Sequence, residues 1–237
     1  DHSNSFDNAD QANINDGSMS TEWVEGHELA QKYTTDDFVG IFGYEMTWSN
    51  GLGHMNTFNT DGFQSRTQSA YATYSTALQN YYATLQTAPD SINQFNHPGT
   101  TFGDFSDFAY YSEANDALIT TIEVGNGEGA IGSSGYFPSY EYYTRALDKG
   151  WHVAPTNNQD NHKGKWGSAN TARSVVLADS LTQENIYDAM RNYRVYATED
   201  NDLSIYYTLD SYIMGTILDK DMVGDTVESV SYTHLRA

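Results

Sequence analysis

An α/β fold with largely parallel strands is what this sequence predicts, on three observations. Short runs rich in β-branched or aromatic residues recur along the first 200 residues. Between them lie stretches whose apolar residues repeat every three or four positions, as one face of a helix requires. Clusters of Gly, Pro, Asn and Asp separate the two kinds of segment. Strand and helix in alternation indicate βα units, in which a crossover returns the chain to start a parallel neighbour.

Residues 1–20 are polar and loop-like, and 38–44 (FVGIFGY) read as a short buried strand ahead of the turn-rich SNGLG at 49–53. Residues 67–87 predict a helix, because Tyr71, Tyr74, Leu78, Tyr81 and Leu85 form one apolar stripe that stops at Ala88-Pro89-Asp90. Residues 94–97 form a short strand closed by Pro98-Gly99, and 117–124 (ALITTIEV) a strand rich in β-branched side chains. A helix over about 138–149 ends at Gly150 and leads into a strand at 151–156 and a further apolar run at 174–178. Thr182 is placed to cap a helix reaching about Tyr193, with Leu181 and Ile186 as a hydrophobic staple. Beyond Asp200, residues 203–209 and 212–218 read as two strands around an Asp-Ser turn, closing the domain or starting a β-sandwich. The last residues, SVSYTHLRA (229–237), resemble translated sequencing-adapter sequence and read as a non-native tail. The expected division is therefore a main domain over 1–200, a β segment over 201–228 and that tail.

Hydrophobic residues make up 38% of the 237, but 19 Tyr, 10 Phe and 4 Trp supply enough apolar bulk for a core. The net charge of −21, from 32 acidic and 11 basic residues, repels phosphate backbones and argues against a duplex nucleic-acid binder. With no Cys, disulfides, zinc ribbons and thiol nucleophiles are excluded. No apolar run reaches the roughly 18–20 residues of a membrane span. The chain opens at Asp1-His2 with neither an initiator Met nor an export signal, so its native start is expected upstream. An acidic, Cys-free, Asn/Thr/Tyr-rich composition suits a secreted or cell-surface protein of bacterial type, with the cytoplasm as the alternative.

Four histidines share one setting. His2 follows Asp1, His54 follows the SNGLG turn, His97 ends a strand before Pro-Gly, and His162 stands in Asp160-Asn161-His162 just past a strand. Glu45 ends the 38–44 strand. In α/β folds, ligands and metals collect at the carboxyl ends of strands. Imidazole suits zinc, iron and manganese, and a carboxylate can bridge two ions. Taken singly each His is more often an ordinary polar residue; as a set they predict a metal cluster.

The strings Asp1-His2-Ser3, GYEMTW at 43–48 with GHMNTF at 53–58, FNHPG at 95–99 and DNH at 160–162 resemble the ordered metal motifs of PHP-domain (polymerase and histidinol phosphatase) hydrolases, in particular the CehA/McbA-type branch. The resemblance spans about residues 1–200. It implies a distorted seven-stranded β/α (TIM-like) barrel with two or three divalent ions, zinc, manganese or iron. It implies His2, Glu45, His54, His97, Asp160 and His162 as ligands, Glu45 as a bridge, and Asp1 hydrogen-bonding to a ligand from behind. Glu45 and Asp160 would act through the metals, with a bridging hydroxide as nucleophile. Glu123 matches an E-V position and would support a ligand, or simply cap the core edge. The family opens with His-x-His on a first strand that this chain lacks, so the barrel is expected to be a fragment without that strand.

Positive charge is scarce enough to be informative. Lys163 and Lys165 follow His162, and Arg173 is close behind; they would grip an anion or form a solvated basic loop. Trp166 would wall a pocket or pack. GEGAIG at 127–132 has the dinucleotide spacing but opens no helix, GSSG at 132–135 lacks the nucleophile-elbow spacing, and NINDG at 13–17 lacks the closing Glu of a calcium loop. The function expected is hydrolysis of a small-molecule phosphoester. The alternatives are a carboxyl or carbamate ester hydrolase, a non-catalytic cell-surface binding module, and a glycosidase using two carboxylates.

Overall fold

In the computed structural model, which describes residues 1–235, a tight hairpin sets the geometry of the main sheet. Strands β1 (Gly43–Trp48) and β2 (Gly53–Phe58) pair antiparallel, Glu45 opposite Asn56 and Thr47 opposite His54. Residues 49–52 between them permit no other direction, because a parallel return needs a crossover of a dozen or more residues. β2 pairs antiparallel with β3 (Ile92–Asn96), His54 opposite Asn96. Only then does the sheet turn parallel, β3 beside β4 (Ile119–Asn126). The short β5 (Phe137–Pro138) lies antiparallel at the end of β4, and β6 (Ala154–Asn158) parallel along it.

Strand alternation gives this sheet two faces. Tyr44, Met46, Trp48, Met55 and Phe95 share the core face, all buried. Helix α1 (Thr21–Tyr33), capped by Ser20 accepting from the Trp23 N–H, sends Trp23 into that core against Tyr44. Helices α2 (Ser69–Ala72) and α3 (Tyr74–Leu85) cover the same layer with Tyr71, Leu78, Tyr81 and Leu85. The opposite face carries Glu45, His54, Asn56, Gln94, Asn96, Glu123 and Thr156.

The expected barrel is not found. Three separate sheets occur among the described residues, and none closes. Besides the six-stranded sheet, β7 (Arg173–Val176) and β8 (Val195–Thr198) form an antiparallel pair around α7 (Gln183–Arg191). β9 (Leu203–Leu209) lies between β10 (Tyr212–Ile213) and β11 (Ser229–Leu235) in a third sheet. A β/α barrel needs a crossover after each strand; the hairpin at 49–52 and the separate closing sheet supply none. The expectation of largely parallel strands fails for the same reason: only β3, β4 and β6 run parallel.

Local readings fare better. Thr182 caps α7, its hydroxyl accepting from the Asn185 N–H. β9 has the expected bounds, whereas the second strand shrinks to β10. The 38–44 strand starts only at Gly43; ahead of it Gly40 lies close against α1, where a Cβ would stand 2.4 Å from the Ala30 carbonyl oxygen. The 67–87 helix breaks at the extended Thr73, leaving Tyr74 exposed. Over its described part, the segment read as a non-native tail pairs with β9 as β11.

Two further short elements follow β3. α4 (Phe105–Phe108) is a left-handed turn, with φ of 58°, 54°, 61° and 53°. Such backbone costs an L residue roughly 1–2 kcal/mol. Here it is offset by burial of Phe105 and Phe108 on Phe95, by Asp104 accepting from the Asp107 N–H, and by Arg145 of α6 (Tyr140–Asp148) pairing with both acids. α5 (Glu113–Asp116) then leads into β4. No helix among the described residues is long and apolar enough to cross a membrane.

Candidate metal centre

On the polar face, three imidazoles converge on one carboxylate. Glu45 Oε2 stands 3.2 Å from His2 Nε2, while Oε1 stands 3.5 Å from His54 Nδ1 and 3.5 Å from His97 Nε2. The register explains this: Glu45 and His54 lie diagonally across the hairpin on one face, and His97 follows directly after β3. His2 reaches Glu45 because residues 1–2 run alongside β1, with the Asp1 carbonyl accepting from the Glu45 N–H at 3.0 Å. His97 has φ 26°, and its N–H donates to Glu123 Oε2 at 2.6 Å. Phe102 lies against the His54 and His97 rings, with centroids at 4.9 and 4.7 Å.

Burial opposes ionisation of Glu45, but hydrogen bonds from His2, His54, His97 and Asn96 outweigh it and hold the carboxyl well below the usual range. Burial also opposes charging of His97, yet Glu45, then the charges of Glu123 and Asp160, raise it. Glu123 goes the other way: full burial pushes it up to about 7, against the pull of His97 and of the Asn158 and His97 N–H groups.

Glu45, His54 and His97 form a group that could hold a metal ion, their ligand atoms all within 4.8 Å of one another. The donor set fits. Ligands of a tetrahedral site with bonds of roughly 2.0–2.2 Å stand about 3.4 Å apart, which is the spacing of the histidine nitrogens from Glu45. His97 Nδ1, the nitrogen turned away from Glu45, is buried without a hydrogen-bond partner among the described residues, whereas ligating imidazoles usually donate that N–H to a neighbour. The cavity in front, ≈ 630 Å³, is lined by Asp1, Glu45, Glu123 and Asp160 and by no Lys or Arg. A cavity that combines carboxylate and imidazole donors, His2, His97 and His162 among them, suits a cation.

No family model matches this chain, and no curated protein matches it. The site therefore rests on its own geometry.

The other expected residues fall at graded distances from this group. Asp160, with φ 45°, and His162 line the same cavity, but His162 is exposed and its Nδ1 sits 2.7 Å from the Asp160 carbonyl oxygen. Asp1 meets Glu45 through its backbone carbonyl. Glu123 is buried and accepts from Asn126 (3.0 Å) and Asn158 (2.8 Å) as well as from His97. Lys163 pairs with Glu128 at 2.9 Å. Arg173 donates to the carbonyls of Gly167, Asn170 and Ala172, so its guanidinium braces the 167–172 loop. Lys165 carries no ion pair among the described residues, and exposed Trp166 stands at the cavity mouth.

A second cleft of ≈ 740 Å³ meets the site at His97 and Asp160 and has Phe102, Phe137 and Tyr142 in its walls. The glycine-rich GEGAIG segment forms part of it. Gly127 and Gly129 press on Gly135, where Cβ atoms would stand 2.3 and 2.6 Å from its backbone, which accounts for the glycines without a nucleotide. Sequence reading missed Gln94, Asn96, Asn126, Asn158 and Phe102. A signal for the first two exists: polar residues at alternate positions of GHMNTF and INQFN mark one polar face.

Proposed function

We propose that this chain is a metal-dependent hydrolase of small phosphoesters. The observation that carries the reading is the convergence of His2, His54 and His97 on Glu45 at the base of an acidic cavity. Surface carboxylates do not gather three imidazoles; an arrangement of this kind suits a cation. Glu45 turns one oxygen toward His2 and the other toward His54 and His97; these residues would hold the metal, and Asp160 and His162, which line the same cavity, would add to the ligand set. Zinc, manganese and iron all suit these donors. Bound there, such ions supply Lewis-acid polarisation of the ester and activation of water. The chain's own residues orient the substrate: Lys165 attracts its anionic group, and Phe102, Phe137 and Tyr142 enclose its organic part. The protein is not a glycosidase in this reading, since Glu45 and Glu123 are held by imidazoles and amides.

A second reading has one observation in its favour. Lys163 is paired with Glu128, and the Arg173 donors are taken up by loop carbonyls, so fewer cationic donors are left for a phosphate and a neutral carboxyl or carbamate ester fits the cleft. Purified protein loaded with Zn²⁺ or Mn²⁺ should cleave p-nitrophenyl phosphate or bis(p-nitrophenyl) phosphate, with loss of turnover on chelation. Cleavage of p-nitrophenyl acetate alone would favour the second reading, and no metal-dependent cleavage of any of the three would defeat both.

A further inference from the structure

We propose that Gln94 and Asn96 are positioning residues that orient the Glu45 carboxylate, through a hydrogen-bond chain that begins at Thr156. The inference rests on the reading of Glu45 as a ligand for its use, but the orientation itself stands on geometry. The Thr156 hydroxyl donates to Gln94 Oε1 at 2.9 Å, Gln94 Nε2 donates to Asn96 Oδ1 at 2.9 Å, and Asn96 Nδ2 donates to Glu45 Oε1 at 2.8 Å. The chain runs along one face from β6 to β1, and its Thr, Gln and Asn are all buried.

Its direction is determined at the far end. Asn158 Nδ2 lies 3.4 Å from Thr156 Oγ1 and 3.5 Å from Gln94 Oε1, and donates to Glu123 at 2.8 Å. The Gln94 atom that faces that N–H is therefore its acceptor oxygen, and the Thr156 hydroxyl donates to the same oxygen. Gln94 then presents its amide nitrogen to Asn96, and Asn96 has only its N–H side left for Glu45. Each amide has one orientation that satisfies both neighbours. The Glu45 oxygen so held is the one that faces His54 and His97. A buried polar line across the strands costs desolvation that apolar side chains would avoid, so its presence calls for a use beyond packing. Outer partners of this kind tune metal affinity by fixing the ligand's rotation.

The test uses the full chain in two measurements. In metal-free, ¹⁵N-labelled protein, the Asn96 side-chain amide protons should resonate downfield in the wild type. They should move upfield in Glu45→Gln and also in Thr156→Val, two hydrogen bonds away, but not in Thr156→Ser, which restores the hydroxyl. In competition with a chromogenic chelator for Zn²⁺, Asn96→Leu should lose about 10- to 100-fold in affinity. Thr156→Val should lose several-fold and Thr156→Ser nothing, and Asn96→Leu/Thr156→Val should be no weaker than Asn96→Leu, because the residues act in series. Asn96 resonances indifferent to Thr156→Val would overturn the chain even if zinc binds. Zinc affinity unchanged in Asn96→Leu would overturn its role at Glu45. A wild type that takes up no zinc but shows the Asn96 shifts would defeat the metal reading alone, leaving the orientation of Glu45 supported.

Discussion

The Glu123 carboxylate accepts the backbone N–H of His97 at 2.6 Å, and thereby pins the turn at φ 26° that aims the imidazole at Glu45. Glu123 is buried, and its pKa is raised from 4.5 to about 7. Between those values the native state holds a proton that the unfolded state has lost. Its contribution to stability is thus full below about pH 4.5 and is lost as pH rises through about 7, a change of about 3 kcal/mol. Glu45 has the opposite sign: its depressed carboxyl stabilises above the unfolded value and loses that contribution as pH falls. In the metal-free protein, Glu123→Gln should flatten the decline in stability between pH 4.5 and 7 in urea titrations, while acid unfolding persists. A decline equal to that of the wild type would contradict this account of Glu123.

Phe102 covers the His54 and His97 rings yet is itself 43% exposed. Phe102→Ala should therefore cost less than about 1.5 kcal/mol in stability, well short of the roughly 3–5 kcal/mol of a core Phe. It should weaken metal affinity several-fold by admitting water to both rings. Thermal denaturation and zinc competition on one sample separate the two effects; a large loss of stability with unchanged affinity would make Phe102 a core residue.

Of the three cations near the site, Lys165 should behave differently from the other two. Lys165→Ala should raise KM for an anionic phosphoester several-fold more than for a neutral ester. Arg173→Ala releases three loop carbonyls from their donor and should impair both substrates alike. Lys163→Ala frees Glu128 and should resemble Arg173→Ala. Steady-state kinetics on paired substrates decides, and selective damage by Arg173→Ala would return it to the anion site.

What could be read from the sequence was the chemistry of single elements. Thr182 announced α7 because a cap acts within four residues, and β9 was legible from its own composition. The cluster was legible as residue types, and Glu45, His54 and His97 do meet, but not at strand ends as expected: Glu45 lies within β1 and His54 near the start of β2, and only His97 directly follows its strand. Strand direction was missed because GHMNTF reads as a motif and not as a strand; once it is one, the four-residue link forces its antiparallel return on GYEMTW. α1 escaped notice since Trp23 is its only buried side chain and no stripe exists. Asn96 escaped notice because its role depends on residues of other strands, Thr156 of β6 acting through neighbouring Gln94, and Glu45 of β1.

The central claim is that Glu45, His54 and His97 hold a metal ion. Equilibrium dialysis of the purified chain against Zn²⁺, followed by elemental analysis, tests it most directly. At least one tightly held ion per chain is predicted for the wild type, with loss of that ion in His54→Ala and His97→Ala and no loss in His152→Ala, whose imidazole pairs with Asp116 far along the chain from the cluster. Uptake that does not saturate, or that is the same in all four proteins, would contradict it.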